Sequence, residues 1–160
     1  MPKRLLFMYV LTTVSLIAAD TLEGRWKLLA AEDVRSNGEV VRHPWGQHPV
    51  GSIVVQDGRL YLQIMSSDTP AFTAEKPVAD QMKAMLLSSY IAYSGPYTVD
   101  AAAGSIAFKV EAAWRPDYVG TDQHRIFHFE NGKLIFGTTP NSIRAGSETL
   151  TRRLTLERIP

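Results

Sequence analysis

A period of two constrains this chain more than any other feature. Between Gly104 and Trp114, the residues Ile106, Phe108, Val110, Ala112 and Trp114 fall on one parity, while Lys109 and Glu111 fall on the other. Side chains of a strand point alternately to opposite faces. The segment therefore reads as one strand with an apolar face to bury and a wet face to show. Comparable segments run over Thr21–Val34, Gly51–Gln56, Arg59–Ser66, Tyr97–Asp100, Asp122–Glu130, Lys133–Thr138 and Thr149–Ile159. Two of the joints are Asp57-Gly58 and Asn131-Gly132, dipeptides that suit the positive-φ centre of a type I′ hairpin. The spacing of Val78, Met82, Met85, Leu86 and Ile91 predicts a single helix from Pro77 to about Tyr93, with Pro77 in its first turn and Gly95-Pro96 ending it.

There is no βαβ rhythm and no internal repeat. The pattern predicts an all-β protein, an eight-stranded up-and-down antiparallel barrel with one helix inserted after the third strand. Closure removes the exposed edges a flat sheet would leave. Eight strands enclose a volume that side chains just fill, or that holds one small ligand.

Facing follows from parity. Leu22, Trp26, Leu28 and Ala30 share a face on the first strand, and Glu32 falls on the same parity, an inward position. Leu150, Arg152, Leu154 and Leu156 share a face on the last strand. For Leu60 to Met65, parity leaves two choices: Leu60, Leu62 and Ile64, or Tyr61, Gln63 and Met65. Trp45 lies in the Pro- and Gly-rich loop Arg42–Gly51, either as a lid over a barrel mouth or as a plug packed on the outside. The plug is the preferred reading.

At 160 residues the chain is one domain by the size prior. A formal charge of +1 speaks against nucleic-acid binding, which needs clustered cations. Lys3 and Arg4, the apolar run Leu5–Ala18, and Ile17 and Ala19 before Asp20 read as a signal peptide at residues 1–19, leaving a barrel domain at 20–160. Its removal takes 17 basic residues to 15 against 16 acidic ones, so the mature chain is near −1, exported, and without a membrane span. There is no cysteine, so the fold holds by packing without disulfides.

Gly24-Arg25-Trp26 on the first strand, with an inward arginine on the last, resembles the lipocalin arrangement in which a Trp closes the narrow end and an Arg lies across it. Arg152 has the right parity, and Arg158 shares it. LEGRWKLLAAED, PVGSIVVQDGRLYLQIM, YIAYSGPYTVD and GTDQHRIFHFENGKLIF resemble the small lipocalin-like domain family over about Leu22 to Glu157. The resemblance implies the barrel fold and leaves the ligand undefined. The missing cysteines depart from the disulfide-bonded animal lipocalins and speak against an odorant- or pheromone-carrier role.

Arg125 shares its parity with Phe127 and Phe129. A buried arginine requires a carboxylate or a set of carbonyls, and Glu32 and Asp122 are the candidate partners. It is either a structural ion pair, the blander reading, or an anchor for a ligand. Tyr90, Tyr93 and Tyr97 gather where the helix returns to the sheet, as core aromatics or as hydroxyls facing a ligand. Trp114 ends the central strand and is either core or part of a mouth. The candidate ligand-binding residues are Tyr90, Tyr93, Tyr97, Trp114, Arg125 and Phe127.

No metal is expected. His124 and His128 stand about 13 Å apart along a strand, and zinc takes three or four ligands. No nucleophile motif or dinucleotide fingerprint occurs, so no cofactor is expected. The expected function is binding of a small, mostly apolar molecule in the barrel cavity. The alternative is a cofactor-free cyclase or isomerase that holds a polyketide- or terpenoid-type intermediate in a reactive shape, with Glu32, Tyr97 and Arg125 as candidate catalytic groups.

Overall fold

The alternating segments become strands because each carries one apolar face that a sheet can bury while the other stays wet. A computed structural model describes residues 21–160, so the leader expected at residues 1–19 lies outside the described residues. Eleven strands occur among them: β1 (Gly24–Val34), β2 (Val40–Arg42), β3 (Val50–Gln56), β4 (Arg59–Met65), β5 (Tyr90–Asp100), β6 (Ser105–Lys109), β7 (Ala112–Ala113), β8 (Asp122–Glu130), β9 (Lys133–Thr138), β10 (Ile143–Ala145) and β11 (Glu148–Ile159). Helix α1 (Val78–Ser88) lies between β4 and β5. Eight long strands run β1-β3-β4-β5-β6-β8-β9-β11, each antiparallel to the next, and β11 returns to pair with β1. The barrel is thus closed, with the helix after the third long strand. Short β2, β7 and β10 hang on β1, β5 and β11. No helix among the described residues is long and apolar enough to cross a membrane.

One end is shut by packing. Trp26 is fully buried, its indole Nε1 donates to the Leu22 carbonyl at 2.9 Å, and Phe129 packs on it at 5.9 Å between ring centroids. The Arg158 guanidinium lies 4.2 Å from the Trp26 ring centroid and donates to the carbonyls of Glu23 and Thr21. Arg158, opposite Trp26 in the register, is therefore the arginine across the tryptophan. Arg152, on the same face of β11, sits toward the other end. Gly24 is required here, because it has φ +139° and a Cβ on it would lie 2.3 Å from the Arg158 Nη1.

Four local expectations change. First, β1 contains a bulge: Leu28 pairs with Leu156 but Ala30 pairs with Thr155, so Leu29 is an extra residue. A bulge shifts every later side chain to the opposite face. Ala31 and Asp33 are buried where Ala30 and Glu32 were expected. Second, Gly104–Trp114 is two strands, not one. Tyr97 pairs with Phe108 but Ser94 pairs with Ala112, one residue out of step. Gly95 allows β6 to bend across β5 there, since a Cβ on it would lie 1.7 Å from the Lys109 carbonyl oxygen. Third, α1 ends at Ser88, and Tyr90 to Tyr93 belong to β5, paired with Met65 to Leu62. Cross-strand pairing of these β-favouring residues overrides the helical spacing. The helix buries none of its residues and packs on the outside. Fourth, Trp45 is 7% exposed and belongs to the core, so it caps the barrel from within instead of plugging the outside. On β4, Leu60, Leu62 and Ile64 take the inward face.

Candidate functional site

The end of the barrel away from Trp26 is hollow. A cavity of about 100 Å³ is walled by Leu62, Ile64, Ile91, Phe136 and Leu154 and roofed by Trp45. Two guanidiniums, Arg125 of β8 and Arg152 of β11, line it, and no carboxylate does.

Arg152 is paired with a carboxylate. The register sets Asp33 of β1 opposite Arg152 and also opposite Arg42 of β2. Asp33 is wholly buried; Arg152 reaches its two oxygens at 2.8 and 2.9 Å, and Arg42 donates to it at 2.6 Å. Burial alone would raise the Asp33 carboxyl, but Arg152 and Arg42 outweigh it and hold the group below its ordinary value. The Arg152 guanidinium also stacks on Trp45, 4.7 Å from the ring centroid. The loop that sequence left irregular is thereby tied to the barrel.

Arg125 has no such partner. Its Nη2 donates to the Gln123 side-chain oxygen at 2.9 Å and lies 3.4 Å and 3.5 Å from the hydroxyls of Tyr93 and Tyr118, and its Nη1 donates to the His124 carbonyl at 2.8 Å. Every one of these acceptors is neutral. Arg125 takes part in none of the eight ion pairs among the described residues. Of the two carboxylates expected beside it, Asp122 is exposed. The other, Glu32, is turned to the opposite face by the β1 bulge and pairs with Arg153 at 2.8 Å.

An aromatic shelf holds Arg125 in place. Tyr93 stacks on Phe108 at 5.3 Å and 13°, and tilts against Tyr118 at 5.5 Å. Tyr118 donates to Gln123 at 2.8 Å, and Gln123 donates to Thr121 at 2.9 Å. Burial pushes the Tyr93 phenol up despite the guanidinium beside it, so it stays protonated and able to donate.

The remaining sequence candidates lie outside the cavity, Tyr90 and Trp114 together on an outer groove and Tyr97 and Phe127 toward the shut end. Trp114 packs beside the shelf, 4.8 Å from Tyr118, and donates to the Leu86 carbonyl of α1 at 3.0 Å. Tyr90 lines a shallow outer groove with Tyr61 and Gln63. Tyr97 donates to Glu23 at 3.2 Å, near the shut end, and Phe127 packs edge-on against Phe129 on that side. Tyr118, Gln123, Trp45 and the Asp33–Arg152–Arg42 cluster complete the hollow end and were not among the candidates. One signal for the cluster was present: the acidic pair Glu32-Asp33 and the basic pair Arg152-Arg153 stand on the first and last strands, which must meet when the barrel closes.

A closed eight-stranded barrel, plugged by tryptophan under arginine at one end and hollow at the other, has the build of a small-molecule-binding β-barrel. The family model described as a lipocalin-like domain matches residues 23–159, and the chain belongs to that family. No curated protein and no solved structure gives a significant match. Membership suggests small-molecule binding in general and names no ligand.

Proposed function

We propose that this protein binds a small molecule, mostly apolar in its body, in the hollow end of the barrel, with Arg125 and Tyr93 fixing the polar end. The observation that carries the reading is Arg125 itself. It is an inward guanidinium at an apolar cavity, bounded by neutral oxygens alone. Arg125 is half-buried, and a charge drawn even partly out of water is costly unless paired. A barrel that only needed filling would do better with an apolar side chain there. The volume of about 100 Å³ lies below the range of drug-sized pockets, so the occupant is compact.

The geometry gives the cyclase or isomerase alternative no comparable support. Of its three candidate groups only Arg125 reaches the cavity; Glu32 is tied to Arg153 and Tyr97 to Glu23.

Native mass spectrometry of the purified protein, followed by titration with the co-purified molecule, tests the proposal. Trp45 roofs the cavity, so binding is expected to shift tryptophan emission in the wild type and to lose most of that shift in Trp45→Phe. A protein that carries nothing, and whose emission no small probe moves, would refute it.

A further inference from the structure

We infer that the ligand is a small monocarboxylate: one planar anionic headgroup held by Arg125 and Tyr93, with a short-chain apolar body. The inference rests on the binding proposal above and adds the chemical class of the occupant.

Charge is the first argument. No carboxylate lines the cavity, and the buried Asp33 behind it is shared between two guanidiniums, so the Asp33–Arg152–Arg42 cluster carries a net positive charge before Arg125 is added. Arg125 contributes a second, with no acidic group in reach. A cation or a neutral donor entering here would meet repulsion or find no acceptor.

Hydrogen-bond balance is the second. Tyr93 accepts from Arg125, and its own O–H donates to no group among the described residues. Tyr118, by contrast, spends its proton on Gln123. Donors therefore outnumber acceptors where the cavity meets the shelf, and a free phenol proton stands beside the guanidinium. Buried polar groups are ordinarily paired, so the missing partner is an acceptor.

Shape and volume select among anions. A guanidinium is a flat fork that matches the two oxygens of a carboxylate. Beyond the headgroup the wall is aliphatic and aromatic, from Leu62, Ile64, Ile91, Phe136 and Leu154. An apolar cavity of about 150 Å³ takes benzene, so one of about 100 Å³ leaves room for a short-chain acid and excludes aromatic and long-chain ones.

The test is calorimetric titration of the full chain in low-chloride buffer with matched probes: isobutyrate against isobutyramide, propionate against propionamide, and isobutylamine. The expected result is that a carboxylate binds at least tenfold tighter than its amide, with no binding of the amine. Arg125→Met is expected to erase that preference while its melting temperature stays level or rises, which a merely structural arginine would not allow. Tyr93→Phe, which removes a single oxygen, is expected to weaken the carboxylate about fivefold and leave the amide unchanged. Amides binding as well as acids, with Arg125→Met indifferent, would overturn the carboxylate assignment and leave the cavity proposal standing. Failure of every probe, charged or neutral, would overturn both.

Discussion

At the scale of single residues, Asp33 decides the stability of the hollow end. It is wholly buried, and two guanidiniums converge on it. Removing one member of a buried pair typically costs about 3–5 kcal/mol because the other charge is left stranded. Arg152 and Arg42 keep 22% and 45% side-chain exposure, which places Asp33→Asn at the low end, about 3 kcal/mol. In a domain of this size that is a fall in Tm of roughly 6–12 °C. Asp33→Leu combined with Arg152→Met is expected to recover much of the loss, since charge and partner leave together. The pH dependence has a definite sign. A carboxyl held below its ordinary value of 3.8 in the folded state stabilises fully above that value, and the contribution fades as pH falls through the lower folded value. Acid melts of wild type and Asp33→Asn are therefore expected to converge below about pH 4. A gap between them that stays constant down to strong acid would show that Asp33 acts by packing instead.

At the scale of elements, the helix and the strands differ in what they bury. Helix α1 buries none of its residues, and one indole hydrogen bond, from Trp114 to Leu86, ties its last turns to the barrel. Strands β1 and β11 bury Trp26, Leu28, Ala31, Leu154 and Leu156 and pair along most of their length. Local opening free energies follow burial and backbone pairing. Amide hydrogen exchange is expected to be faster in α1 than in β1 and β11 by roughly two orders of magnitude or more. Protection of α1 equal to that of β11 would mean that the helix is part of the cooperative barrel. The helix was legible in its spacing from Val78 to Leu86, but its end was not. The same residues, Tyr90 to Tyr93, satisfy helical spacing and strand pairing alike, and only the edge offered by β4 chooses between them.

At the scale of the whole molecule, closure rests on the pairing of the two ends of the chain, with Arg25 opposite Ile159 and Val34 opposite Thr151. No disulfide assists it, since the sequence has no cysteine. β11 also supplies Arg158 to the shut end and Arg152 to the hollow end, so one strand completes both. A chain ending at Gly146 loses this strand and leaves the edges of β1 and β9 unpaired and apolar on one side, a template for aggregation. It is expected to give no folded monomer by size-exclusion chromatography and no cooperative melt. A truncated chain that elutes as a monomer and melts cooperatively would show that closure is dispensable.

The eight long strands and the insertion point of the helix follow from local signals alone. The alternation of apolar side chains and the Asp57-Gly58 and Asn131-Gly132 turns are local signals, and eight such segments in a row leave a barrel as the economical burial of their apolar faces. Arg125 was legible for the same reason, since no irregularity separates it from the alternation of its own strand, whereas Tyr93 was singled out only as a tyrosine at the helix end and its pairing with Leu62 puts it on β5. Which other residues meet them was decided by tertiary structure. Two one-residue shifts, at Leu29 and between Phe108 and Ala112, reverse parity for everything downstream on their strands. They replace Glu32 with Asp33 inside the barrel and set Trp114 beside the site. Parity counts residues along one strand, whereas a bulge exists only relative to the partner across from it. The composition of the cavity is therefore a property of registry between strands far apart in the chain.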